Sequence, residues 1–124
     1  MKNNNKGFTL AEMLIVIAII GVLVAIAIPT FTSQLEKSKE ATDVANMRSA
    51  YSEAVTKHLM DSPEEDTVTI EDINLTSDGT FDYVDTDKLP FSMPAGFSVS
   101  AGLYDITFDF SGDTPAATFA SAGE

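Results

Sequence analysis

The sequence predicts an α+β protein: a long N-terminal α-helix, hydrophobic in its first half and amphipathic in its second, packed against a small antiparallel β-sheet head. Three observations carry this prediction. Phe8 to Phe31 contains a single charged residue, Glu12. From Leu35 to Leu59 apolar residues recur mostly three or four positions apart, and beyond Pro63 apolar and polar residues alternate in short runs. With 124 residues the chain is one ordinary domain at most, and a soluble part cut from it is small.

The element order follows from the chain itself. Met1 to Lys6 holds two lysines and three asparagines, a basic stretch that stays cytoplasmic under the positive-inside tendency. Phe8 to Phe31 is 24 residues. At 1.5 Å per residue it reaches ~36 Å, enough for a bilayer core of ~30 Å and longer than the apolar region of an ordinary signal peptide. An alternative is secretory cleavage at the small-x-small triplet Ala25-Ile26-Ala27, which leaves a soluble acidic protein. Glu12 inside the supposed signal region and helical patterning that runs past the cut oppose it.

Glu12 needs a partner, because a carboxylate at the centre of a membrane helix costs about 2.5–3.5 kcal/mol, and less toward an end. Lys6 lies off its helical face. A cut between Gly7 and Phe8 creates an α-amine four residues before Glu12 on the same face, which supplies the missing cation. The plain alternative is a carboxylate that snorkels to the interface. Gly21 lowers helix propensity by about 1 kcal/mol, and Pro29 removes a donor and crowds the carbonyl of Ala25, so a kink or loosening is expected between them.

The second helix half carries one apolar stripe: Leu35, Ala41, Val44, Ala45, Met47, Tyr51, Val55 and Leu59. Glu36, Lys37, Lys39, Glu40, Asp43 and Glu53 are placed mostly on the other faces. Glu36 with Lys39, or Glu40 with Lys37, offers local ion pairs worth a few tenths of a kcal/mol. Lys57 and His58 suit the negative helix end. The helix stops near Asp61-Ser62-Pro63, giving about 52 residues and ~78 Å. In the rest, Val68 and Ile70, Phe81 and Tyr83, Phe97 to Ala101, and Tyr104 to Phe110 alternate as strands, with a phase change near Gly102 assigned to a hairpin or bulge. Phe119 marks a last strand after Pro115, and residues 71–96 read as a long irregular connection.

Charge and residue types exclude several functions. Net charge is −12, and residues 61–124 hold fourteen Asp or Glu against Lys88, so the head repels nucleic acid. Without cysteine there is no disulfide, thiolate metal site or cysteine nucleophile. A single histidine leaves no histidine-rich metal site and makes a catalytic triad improbable; no enzyme and no cofactor is expected. Asp78, Asp82, Asp85 and Asp87 are weak calcium candidates, because their spacing lacks the bidentate Glu of a calcium loop.

Lys6-Gly7-Phe8-Thr9-Leu10-Ala11-Glu12-Met13, with the apolar run and Pro29 behind it, resembles the N-terminus of type IV prepilins and pseudopilins. The resemblance covers roughly residues 1–30. Ala11 and Met13 replace the larger aliphatics often found there, with no change in charge or helix-forming tendency. The resemblance implies a pilin-like fold and a prepilin peptidase that cuts after Gly7 and methylates the new N-terminus at Phe8. It also implies that Glu12, with Thr9 in the same assembly set, meets the Phe8 amine of a neighbouring subunit. Gly21 and Pro29 then give an adaptable stretch in the filament core.

The domain reading is a removed leader (1–7), a membrane or filament-core helix half (8–31), an amphipathic half (32–60) and an acidic β-rich head (61–124). The function implied is the structural subunit of a type IV pilus, held first as a single-pass cytoplasmic membrane prepilin and then placed in a cell-surface or envelope filament. Its partners are further copies and related pilins, the prepilin peptidase and the pilus assembly platform. The alternative is a pseudopilin of a type II secretion or competence DNA-uptake machine. Major secretion pseudopilins commonly end in a glycine-rich calcium-binding segment, whereas this sequence ends Ala-Ala-Thr-Phe-Ala-Ser-Ala-Gly-Glu.

Overall fold

The computed structural model describes residues 7–61 and 63–122. The expected leader, apart from Gly7, and Ser62 of the expected helix stop lie outside the described residues. The chain forms two compact units, one up to Leu35 and one from Glu36 onward. Helix α1 (Leu10–Met60, 51 residues) supplies the first unit and opens the second. Its last backbone bond runs from the Asp61 N–H to the Lys57 carbonyl, close to the stop expected at Pro63.

In the first unit the apolar side chains stand open, Ile17 at 58% exposure and Leu23 at 59%. Each such side chain gains about 1.5–3 kcal/mol on full burial, so a surface this apolar is a surface to be covered. By length and composition the stretch can cross a membrane.

In the second unit, α1 is followed by β1 (Thr67–Leu75), β2 (Gly79–Thr80), a 3₁₀ turn (Thr86–Lys88), β3 (Ser98–Val99), β4 (Gly102–Asp109) and β5 (Ala116–Ser121). The main sheet is antiparallel in the order β1-β4-β5, and β2 pairs with β3 in a separate two-stranded ladder. Ile70 lies opposite Ile106, and Ile106 opposite Phe119. Val44, Met47, Ala50 and Ala54 of α1 join Val68, Ile70, Leu75, Ile106, Phe108 and Ala117 of the sheet in one core. Tyr51 ties the layers, its ring 5.3 Å from Phe91 and 5.5 Å from Phe108. These separations suit edge and tilted aromatic pairs.

The α+β reading and the strands at Val68, Phe108 and Phe119 hold, and four details are corrected. First, the phase of β1 changes within the strand: three steps from Ile70 to Ile73 face two from Ile106 to Tyr104, so one extra residue is inserted. Asp72 sits there at φ 59° with its N–H donating to Asp105 Oδ1 (3.1 Å). The bulge keeps Val68, Ile70 and Leu75 buried on one face although the sequence period breaks.

Second, β3 and β4 do not pair, so the phase change before Gly102 is no hairpin; the chain leaves one sheet for another, with Tyr104 Oη both accepting from and donating to Ser100 backbone. Third, residues 71–75 are strand, and the segment after them contributes Leu89 and Phe91 to the core. Fourth, Phe81 and Tyr83 lie outside the strands because the neighbouring N–H groups are spent on a helix carboxylate.

That carboxylate belongs to Glu40, which with Asp43 was placed on the solvent face; both are buried, at 2% and 0% exposure. Glu40 accepts from the N–H groups of Asp82 (2.9 Å) and Tyr83 (2.7 Å). Asp43 accepts from Thr76 N–H (2.7 Å), Thr76 Oγ1 (3.0 Å) and Ser77 N–H (2.8 Å). Charge-assisted bonds of this kind offset the several kcal/mol that burying an anion costs. Ala41, Ala45 and Leu59 of the expected apolar stripe are exposed, and Ala50 and Ala54 lie in the core instead.

Candidate processing and assembly site

Gly7, Phe8 and Thr9 precede the first turn of α1. Thr9 caps the helix: its Oγ1 accepts from the Glu12 N–H (3.2 Å), and Glu12 Oε2 accepts from the Thr9 N–H (2.8 Å). This reciprocal pair is a capping box, and the negative side chain also suits the positive helix end. Among the described residues Glu12 thus has a donor and no cation. The Thr-x-x-Glu spacing of residues 9–12 carries that signal in the sequence, and a reading centred on charge partners passes over it.

Phe8 is 83% exposed, and a Cβ added at Gly7 meets nothing within 4 Å. The fold itself places no demand for glycine there, so a requirement for it lies outside the chain. Gly21 is equally open, next to a shallow apolar hollow lined by Ala18, Ile19, Val22 and Leu23. The helix continues through Pro29, and hydroxyls around it bond back along the axis: Thr30 to the Ile26 carbonyl (3.3 Å), Thr32 to Ile28 (2.9 Å) and Ser33 to Pro29 (3.2 Å). Such back-bonding slightly destabilises and often bends helices, and Thr42, Ser52 and Thr56 make the same bonds further along α1.

In the second unit several of the acidic side chains accept hydrogen bonds from neighbouring groups. Asp78 accepts from the Ala101 N–H (2.9 Å), Asp82 from Thr80 Oγ1 (3.0 Å) and Asp85 from the Asp87 N–H (3.0 Å). The four aspartates named as calcium candidates are thereby placed, and among the described residues no three His, Cys, Asp or Glu side chains converge as a metal site. The Ser111 hydroxyl and then its N–H hold the Asp109 carboxyl below the usual carboxylate range. His58 is half-buried and stacks on Phe110 at 4.7 Å, while Lys57 pairs with Glu53 at 3.2 Å.

A long apolar N-terminal helix with an acid in its capped first turn, opened by Gly-Phe and continued into a small antiparallel sheet, defines a pilin-like protein. Residues 2–28 match the family described as the prokaryotic N-terminal methylation motif. The chain is similar to the Type IV major alpha-pilin of Moraxella bovis, 42% identical over 83 residues, which are 63% of this chain and 52% of that protein. It is 49% identical over 47 residues to the Type IV major pilin protein PilA of Myxococcus xanthus, covering 38% of this chain and 21% of that one. The Type IV major fimbrial protein FimA of Dichelobacter nodosus is 49% identical over 45 residues, 36% of this chain and 28% of the relative. The chain thus spans about half the length of the Moraxella protein and less of the other two. No solved structure matches it at a significant level. The resemblance carried by Lys6 to Pro29 is supported: residues 2–28 match the N-terminal methylation motif, and the chain is similar to type IV major pilins over part of its length.

Proposed function

We propose that the protein is a structural subunit of a type IV pilus. It is made as a membrane prepilin, cut by a prepilin peptidase after Gly7, N-methylated at Phe8 and polymerised through α1 on an assembly platform in the cytoplasmic membrane. The observation that carries this reading is the Gly7–Phe8 junction and capped Glu12 at the head of an apolar helix whose side chains are uncovered. Residues 1–7 are then the leader, 8–31 the half that exchanges lipid for neighbouring helices, 32–60 the amphipathic half and 61–124 the head. The exchange loses no hydrophobic shelter, since helix-lined surroundings are as apolar as lipid. The mature subunit ends in a surface filament.

In that filament Glu12 turns from the Thr9 N–H to the Phe8 amine of a neighbour, which neutralises both charges and sets the axial register. Thr9 holds the carboxylate until the exchange. Gly21 allows close helix approach, and Pro29 with the hydroxyls near it supplies compliance. The names of the matched relatives, pilins and fimbrial proteins, favour a pilus over a pseudopilus. Secretory cleavage after Ala27 is disfavoured because Ala25-Ile26-Ala27 lies inside unbroken helix. The test is Glu12→Ala: membrane insertion stays normal and sheared filaments fall to a small fraction of the unaltered yield. An unchanged filament yield would refute the pairing role.

A further inference from the structure

The charges of the second unit are sorted by face. With Glu40 and Asp43 turned inward, the outer surface of α1 from Glu36 to Met60 keeps Lys37, Lys39, Arg48 and Lys57 against Glu36 and Glu53. Lys39 pairs with Glu36 at 3.6 Å and Lys57 with Glu53 at 3.2 Å. Lys37 was expected to pair with Glu40, but Glu40 is spent on the Asp82 and Tyr83 N–H groups. Arg48 has no acid three or four positions away, and Asp43 is spent on Thr76 and Ser77. Among the described residues, Lys37 and Arg48 therefore have no ion-pair partner. In a chain with 19 acids and 7 Lys or Arg this is the reverse of what random pairing gives. Lys37, Ala41, Ala45, Arg48 and Ser52 are exposed and fall on one flank of the helix, the small residues lying between the cations.

The opposite situation holds from Asp61 to Asp66. Asp61, Glu64, Glu65 and Asp66 are all exposed. No carboxylate among them accepts a hydrogen bond or meets a cation among the described residues; Asp78, Asp82, Asp85, Asp105 and Asp109 accept from nearby donors, and the other free acids, Glu71, Asp72, Asp87 and Asp113, are not gathered in one such run. Asp61, Pro63, Glu64 and Glu65 line one open hollow.

We infer that the Lys37–Arg48 flank of α1 docks against the carboxylates of Asp61, Glu64, Glu65 and Asp66 of a second copy of this chain. The inference rests on the filament reading above, which brings copies side by side. Complementary surfaces that stay unpaired within one molecule fix which flank of a neighbour is accepted, because like-charge juxtaposition in any other register costs several kcal/mol. Small side chains between Lys37 and Arg48 leave space for the guanidinium and ammonium to reach a facing carboxylate. Arg48 is suited to grip one in bidentate fashion.

The experiment is charge reversal in the full chain, read as sheared-filament yield, with the membrane-inserted amount and protease resistance of the head measured in parallel to confirm folding. Lys37→Glu with Arg48→Glu lowers filament yield by about tenfold or more while insertion and protease resistance are unchanged. Adding Glu64→Lys and Glu65→Lys to that variant restores it. Normal yield from the reversed flank overturns the inference while leaving the filament reading intact. Loss of filaments without recovery in the swapped variant overturns it too, because the acids of residues 61–66 are then not the partner. If the unaltered chain makes no filaments, the functional reading fails first and the inference falls with it.

Discussion

Two acids in α1 decide how the head is held. Asp43 is fully buried and satisfies three donors of Thr76 and Ser77, and Glu40 fixes the next turn of the same connection through Asp82 and Tyr83. Among the described residues neither is paired with a cation; backbone N–H groups, joined at Asp43 by the Thr76 hydroxyl, stabilise the anions. Asp43→Ala leaves those N–H groups without a partner and lowers head stability by roughly 3–5 kcal/mol; Asp43→Asn keeps the shape and loses less. Thermal unfolding of the detergent-solubilised full chain, with hydrogen exchange at Thr76 and Ser77, checks this. Equal loss in the two variants would show that the retained shape and single acceptor oxygen of Asn contribute nothing. Neither acid was legible as buried, because a charged residue in an amphipathic helix is ordinarily solvated, and the N–H groups that stabilise it lie 33 to 43 positions away. Thr9 and Glu12, by contrast, are three positions apart, and their bond could be read from spacing alone.

At the scale of elements, the β1 bulge is the feature on which the sheet register turns. Asp72 takes a left-handed conformation that costs most residues about 1–2 kcal/mol and Asp somewhat less. Replacing it by Val therefore destabilises the head by about 1–2 kcal/mol, whereas Asp72→Gly is neutral or stabilising. Urea unfolding of both variants tests the assignment, and equal midpoints would contradict it. The long helix, its end before Pro63 and the strands at β1, β4 and β5 were legible because each rests on a local period of three to four or of two. The bulge, the separation of β3 from β4 and the burial of Phe91 were hidden, since they depend on which sheet a segment joins. Alternation at Phe81 and Tyr83 misled for a related reason: a helix carboxylate takes the N–H groups that a ladder partner would otherwise use.

For the molecule as a whole, the two units have opposite needs. The unit up to Leu35 exposes an apolar surface, and the unit from Glu36 has its own aromatic-rich core and a strongly acidic exterior. The proposed passage from lipid into a filament would reconcile them: the helix would stay in apolar surroundings throughout, while the charged head would stay in water. The motif that opens the chain was legible because its signature is local; the roles of Gly7, Phe8, Glu12 and Pro29 within it belong to the proposal. How neighbouring copies are aligned was not, since the cations and acids available for that contact become distinguishable only when the structure shows which of them are already used.

Processing between Gly7 and Phe8 is the step on which the proposed function depends, because on that reading it creates the amine that Glu12 would meet. Mass spectrometry of the mature chain, taken from sheared surface material and from membranes, tests it most directly. The account predicts an N-terminus at Phe8 carrying one methyl group in both fractions. An N-terminus at Ile28, with the chain free in the medium, would contradict it.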